Sequence, residues 1–288
     1  MNMDVFTRVV AQRNQVLWLF LAFQSGFMNA GGFLAVHRFV SHITGYGTYV
    51  GVALAQKQYL GAFEMALAPV FFLAGAIVAG WIVDRRIILG QTPRIEGGII
   101  TLAVLNLIIY LGEFTEYLGT FGEPLVLQRD FFLLFILCFA CGLQNGLFSG
   151  VTKGQVRTTH LTGPITDIGI NISKIFTLEV GNPERGQLIA MNWLRVKIVI
   201  AFSSGSLIAA LIFTELTYEG FAVPCAISLF LVWYVRRLMK GHKPEATRHA
   251  TGDTASLLVP AEPVSVQNGA SAPASNNNPA VSVEPGRH

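Results

Sequence analysis

The stretch "SHITGYGTYVG" at residues 41–51 lies over "THLTGPITDIG" at residues 159–169, so that His42, Thr44, Gly45, Thr48 and Gly51 fall on His160, Thr162, Gly163, Thr166 and Gly169. Both copies are polar, carry glycine and stand in otherwise apolar sequence. The apolar pieces that hold them, 43–56 and 161–173, are too short to cross about 30 Å of hydrocarbon at ~1.5 Å per residue. They are predicted to be half-helices that go into a membrane without crossing it.

Composition supplies the membrane. Of 288 residues, 52% are apolar and 13% charged, where soluble domains carry about a quarter charged. Charge this scarce cannot coat a soluble surface of such size. Apolar runs long enough to cross as helices lie near 15–37, 60–83, 97–112, 130–150, 196–214 and 217–235. The expected fold is therefore an all-α membrane protein, with six transmembrane helices plus the two short half-helices in two inverted-topology repeats. Inversion follows because three crossings, an odd number, separate equivalent points of the two copies, and transporters of that architecture bind solutes where the repeats meet.

Lys and Arg near span ends collect on the cytoplasmic side. With six spans and the N-terminus inside, Arg85, Arg86, Arg94, Lys153, Arg157, Arg195, Lys197, Arg236 and Arg237 are among the cytoplasmic charges and only Arg38, Lys57 and Arg129 fall outside, together with Glu113, Glu116, Glu123, Glu215 and Glu219. The chain then divides into a cytoplasmic segment 1–14, a first membrane repeat 15–113, an outer loop 114–129, a second repeat 130–240 and a tail 241–288. The tail, ending "PASNNNPAVSVEPGRH", has no apolar periodicity and is predicted to be disordered and cytoplasmic. The expected location is an inner membrane, multi-pass, with both termini cytoplasmic. The net charge of +3 is small and unevenly placed, and the sequence offers no basic patch for nucleic acid.

Candidate binding residues come from the repeat. Thr44 and Thr162 suit helix N-caps, followed by Gly45 and Gly163, which let another group come close; a half-helix starting in the membrane aims free N–H groups at an anion or a ligand oxygen. The alternative is that the string only satisfies its own backbone. Asn29 and Asn145 also pair in the overlay, "GFMNAGG" on "GLQNGLF", and serve either as interhelical glue or as solute ligands. Asp167 faces Tyr49 in the overlay and, with Asn171 and Lys174, makes a polar stripe, either an ionisable group at depth or a shallow face turned to water. His42 and His160 suit solvated interface positions better than titrating gates. Cys138 and Cys141 form a CxxC inside "FFLLFILCFACGL", where hydrocarbon keeps thiols inert. "SSGS" at 203–206 suits packing against a neighbouring helix. With no phosphate-binding glycine loop, HExxH or GxSxG, the sequence offers no catalytic residue, metal site or cofactor site, and enzyme is not the expected class.

"GFMNAGGFLAVHRFVSHITGYGTYVGVALA" and "CGLQNGLFSGVTKGQVRTTHLTGPITDIGINIS" resemble the two signature regions of the YoaK-like membrane proteins, a bacterial group whose shared domain has no assigned function; the resemblance covers roughly 15–238. It implies a membrane setting and no substrate, cofactor or catalytic residue. The expected function is a carrier or channel for a small polar or anionic solute held between the half-helices; the alternative is a non-transporting sensor or assembly module acting through its cytoplasmic side. Expected partners are the lipid bilayer and an unidentified small solute, and a homo-oligomer is compatible with the sequence. The topology is testable at Thr120: a Thr120→Cys variant in a cysteine-free background should react with impermeant thiol reagent from outside intact cells, and labelling only after permeabilisation would refute six spans with an inner N-terminus.

Overall fold

The computed structural model describes residues 15–240 apart from 92, 115, 124, 126–127, 150–151 and 153–156. The segment 1–14, the tail 241–288 and Lys153 therefore lie outside the described residues, as do the side chains of Glu113, Glu116 and Arg129. The described chain is helical: α1 (Gln15–Val36), α2 (Ile43–Ala55), α3 (Tyr59–Ile82), α4 (Asp84–Ile88), α5 (Ile95–Leu111), α6 (Gln128–Ser149), α7 (Thr162–Thr177), α8 (Pro183–Phe213) and α9 (Ala222–Lys240), with short 3-10 turns at Gly112–Phe114, Glu116–Leu118 and Tyr218–Phe221.

Five stretches are long and apolar enough to cross a membrane, Gln15–Val36, Tyr59–Ile88, Phe131–Ser149, Pro183–Phe213 and Tyr218–Leu238, while Ile95–Leu111 is a shorter apolar helix. In hydrocarbon a backbone must satisfy its own polar groups, which is why these runs take the helical form despite many β-branched residues. The chain is thus a multi-pass membrane protein. The largest boundary correction is α8. It begins at Pro183, capped by the Asn182 side chain accepting from Glu184 N at 2.9 Å, rather than near 196. The charged residues Glu184, Arg185 and Arg195, which broke the apolar run, are inside the helix, because caps set helix starts and apolarity does not.

Two pairs of helices carry most of the packing, α1 with α8 and α3 with α6. Each uses the same device. Phe23–Gly26 on α1, Phe72–Gly75 on α3, Phe139–Gly142 on α6 and Phe202–Gly205 on α8 share an F-x-x-G pattern. A Cβ at Gly26 would collide with the Phe202 carbonyl and one at Gly205 with the Phe23 carbonyl; likewise Gly142 abuts the Phe72 carbonyl and Gly75 the Phe139 carbonyl. Without a hydrophobic drive between helices in lipid, association rests on such close approach and on interhelical hydrogen bonds. The Ser206 hydroxyl adds one, donating to the Gly26 carbonyl at 3.1 Å, so "SSGS" does pack against a neighbouring helix.

Side-chain contacts fix helix direction. Lys197 donates to Gln15 at 2.8 Å and Gly31 abuts the Phe213 ring, so α1 and α8 are parallel. Trp18 meets Phe148 edge-on at 5.5 Å and Gly32 meets Leu137, so α1 and α6 are antiparallel. The apolar core splits accordingly into two ends: Trp18, Ala79, Ile99, Phe148, Ile198 and Val235 belong to one cluster, and Phe27, Met65, Ile109, Leu134, Phe213 and Phe221 to the other.

The glycine contact is testable by thermal unfolding in detergent. A Gly26→Val variant should lose on the order of 1–3 kcal/mol by overpacking, whereas Gly51→Ala, where an added Cβ meets nothing within 4 Å, should unfold no earlier than the parent. Equal behaviour of the two variants would show that the F-x-x-G contact is not what holds α1 to α8.

Candidate functional site

Both repeated strings are bracketed the same way. The Ser41 hydroxyl donates to Asn29 Oδ1 at 2.9 Å, reinforced by Ser41 N at 3.4 Å, and the Thr159 hydroxyl donates to Asn145 Oδ1 at 2.9 Å. The chain leaves α1 at Val36, turns through His37 at positive φ, and folds back along α1 until Ser41 meets Asn29. From there α2 runs beside α3, and α7, which follows the Thr159 bracket, packs on α8. The two short helices span 13 and 16 residues. Ser41 and Thr159 were legible in the overlay, where they align one residue before the histidines; their partners Asn29 and Asn145 sit beside the glycines that bring the long helices together.

The capping expectation is corrected. The N-cap of α2 is His42 and that of α7 is Leu161, and neither makes a side-chain cap bond; Thr44 and Thr162 already lie inside their helices and are exposed. The bracket hydroxyls one turn earlier fix the chain instead. A Cβ added at Gly45 would come no nearer than 3.8 Å to the His42 ring and 4.0 Å to the Tyr49 ring, whereas one at Gly163 would run into the Arg157 guanidinium. His42 is exposed. Burial, then the Arg157 guanidinium, holds His160 below its ordinary pKa, so its ring is neutral near pH 7, with Nδ1 3.2 Å from the Thr159 hydroxyl.

Nor do Thr44 and Thr162 face each other across a pseudo-twofold axis, as two half-helices aimed at one central site from the two repeats would require. Tyr46, one turn into α2, is buried in the cluster with Phe27 and Leu134 and donates to the Phe39 carbonyl at 3.0 Å. α7 instead reaches the stretch of α8 whose Leu194 and Ile198 belong to the opposite cluster. Asn29 and Asn145, on antiparallel α1 and α6, lie on either side of the helix crossing, so Thr44 and Thr162 occupy opposite halves of the bundle.

On α7 the polar stripe meets a partner outside itself. Arg195 Nη2 donates to Asp167 Oδ2 at 3.1 Å and Nη1 to Asn192 Oδ1 at 3.4 Å, while Asn171 Nδ2 donates to Asn192 Oδ1 at 2.9 Å. Lys174 is exposed. Neither Arg195 nor Asn192 is evident as a site residue in the sequence, since both lie before the apolar run that marked the fifth span. At the level of the glycines lies a second polar group: Gln24 donates to Ser228 at 2.8 Å, and Gln144 donates to Ser25 at 2.8 Å and to the Leu21 carbonyl at 2.9 Å. These glutamines have no polar counterparts in the repeat, and the overlay passed over them.

The brackets can be tested separately. An interhelical bond of this kind is worth about 0.6–2 kcal/mol, so Asn29→Ala should speed amide exchange across 38–46 by about 3- to 30-fold and leave 158–166 unchanged, with Asn145→Ala doing the reverse. Uniform acceleration in both variants would mean that the asparagines hold the bundle rather than the re-entrant segments.

Searches of curated proteins and of solved structures match nothing. The YoaK-like resemblance is consistent with the family model that matches the chain. With residues 17–234 matched, from within α1 to within α9, the chain belongs to DUF1275, described as a family of proteins of unknown function.

Proposed function

We propose that the chain is a carrier or channel for a small polar or anionic solute. The observation that carries this reading is the pair of short helices, each preceded by an asparagine–hydroxyl bracket on its own side of the helix crossing, which we read as re-entrant. Irregular backbone at membrane depth is tolerated only where protein buries it or a water-filled path wets it, and paired broken helices are the usual builders of solute sites. Asn106 supports the same reading. It is fully buried on α5, and neither of its amide atoms finds a hydrogen-bond partner among the described residues, an expense of about 1–3 kcal/mol that lipid anchoring alone does not reward.

In this reading α5 is the sixth crossing, at about 26 Å for its helical rise, and the helices alternate in direction. The two halves are inverted repeats that exchange partners, α1 with α8 and α3 with α6. The termini are cytoplasmic in an inner membrane, following the Lys and Arg distribution. Of the proposed solute ligands, Asp167 keeps its place beside Arg195. Asn29 and Asn145 act by holding the segments that carry Thr44, Gly45, Thr162 and Gly163, and the solute path runs between staggered half-helices rather than through one shared threonine pair.

Proteoliposomes holding the full chain, challenged with osmotic gradients of glycerol, urea, acetate and phosphate, should swell faster than protein-free vesicles for at least one of them. Asn106→Leu should slow that flux severalfold while leaving thermal stability equal or higher, because an apolar replacement removes an uncompensated polar burial. No protein-dependent flux for any of the four, or unchanged flux in Asn106→Leu with lowered stability, would count against transport.

A further inference from the structure

The two halves provide an internal comparison. By the overlay of the repeated strings Asn171 falls on Ala53, and by the F-x-x-G alignment of α3 with α8 Asn192 falls on Ala62 and Arg195 on Met65. Ala53 on α2, and Ala62 and Met65 on the α3 that packs against it, are buried. A half-helix can therefore be packed on its long helix by apolar residues at these very places, and the polar set between α7 and α8 is not needed for packing. Burying a guanidinium there costs several kcal/mol before its partners offset it, so a second role is indicated.

The geometry around Arg195 says what that role is. The Arg195 side chain is 10% exposed and the Asp167 side chain 42%, so the carboxylate is the outer member of the pair and the guanidinium the inner. Asp167 uses one oxygen and one N–H, although a guanidinium fork accepts a free carboxylate through two parallel bonds. Among the described residues the other contact of Arg195 is the long one to Asn192. Asn171 and Asn192 bring amides and no further charge, so a single carboxylate, that of Asp167, balances the buried guanidinium.

We propose that Arg195 is the binding group for a small monocarboxylate, and that Asp167 is its tethered resident, displaced when the solute arrives from the exposed side of α7. A single buried cation matches one negative charge; a dianion would leave the second uncompensated. Displacement frees α7 from its ion pair with α8, which ties occupancy of the site to the position of a re-entrant helix. The inference rests on the carrier reading and narrows its solute class, but binding is read without transport.

The test is thermal unfolding of the full chain in detergent, titrated with sodium acetate against sodium chloride at constant ionic strength. Acetate should raise the midpoint where chloride does not. Asp167→Ala should lower the half-saturating acetate concentration by about tenfold or more, since it removes the internal competitor, and Arg195→Met should abolish the acetate-specific shift. Arg195→Met paired with Asp167→Ala copies the apolar first half at the arginine position and should fold, which separates lost binding from lost structure. Equal effects of acetate and chloride, an acetate response surviving in Arg195→Met, or weaker acetate binding in Asp167→Ala would each overturn the proposal. Loss of acetate binding with retained glycerol or urea flux would remove this site and leave the carrier reading in place.

Discussion

Four glycines set how close the long helices come, and most of the remaining geometry follows. With Gly26 against the Phe202 carbonyl and Gly142 against the Phe72 carbonyl, backbones touch with no side chain between them, the arrangement on which helix association in lipid depends. Close contact at this level forces large residues to the ends, where two apolar clusters form. It also places Ser25 and Gln24 within reach of Gln144 and Ser228, and lets Asn29 and Asn145, one turn from the glycines, catch the returning chain.

The bracket explains why the polar string occurs twice. A segment that turns back inside a membrane must be held where it turns, because its unpaired backbone groups are costly there. One asparagine and one hydroxyl do this in each half, and the following Thr-Gly pair begins the helix. Symmetry stops at the faces the short helices present: α7 meets α8 through an ion pair and two asparagines, whereas the matching positions of α2 and α3 hold buried alanines and a methionine. The bracket is common to both strings, and the polar face belongs to one of them alone.

Much of this was legible in residue order. The apolar runs gave the long helices to within a few residues except at α8, and the pieces 43–56 and 161–173 became separate short helices, Ile43–Ala55 and Thr162–Thr177. Asn29 and Asn145 were visible by pairing. What escaped notice had physical reasons: Arg195 and Asn192 sit where charge hides a helix from an apolarity count, and Gln24 and Gln144 have no partners in the repeat. The capping role given to Thr44 and Thr162 failed because the hydroxyls that fix the turns lie three residues earlier, at the fold-back itself.

By itself the sequence determined that the chain lives in a membrane, how long each helix can be, and that one local device is used twice, since these depend on composition, length and repetition along a single chain. Only the tertiary structure decided which helices exchange partners, that the two threonines lie in opposite halves of the bundle, and that Asp167 answers to Arg195 rather than Lys174. Those are choices among distant residues. They turn on where a missing Cβ lets two backbones meet, and no pattern read along one helix contains that distance.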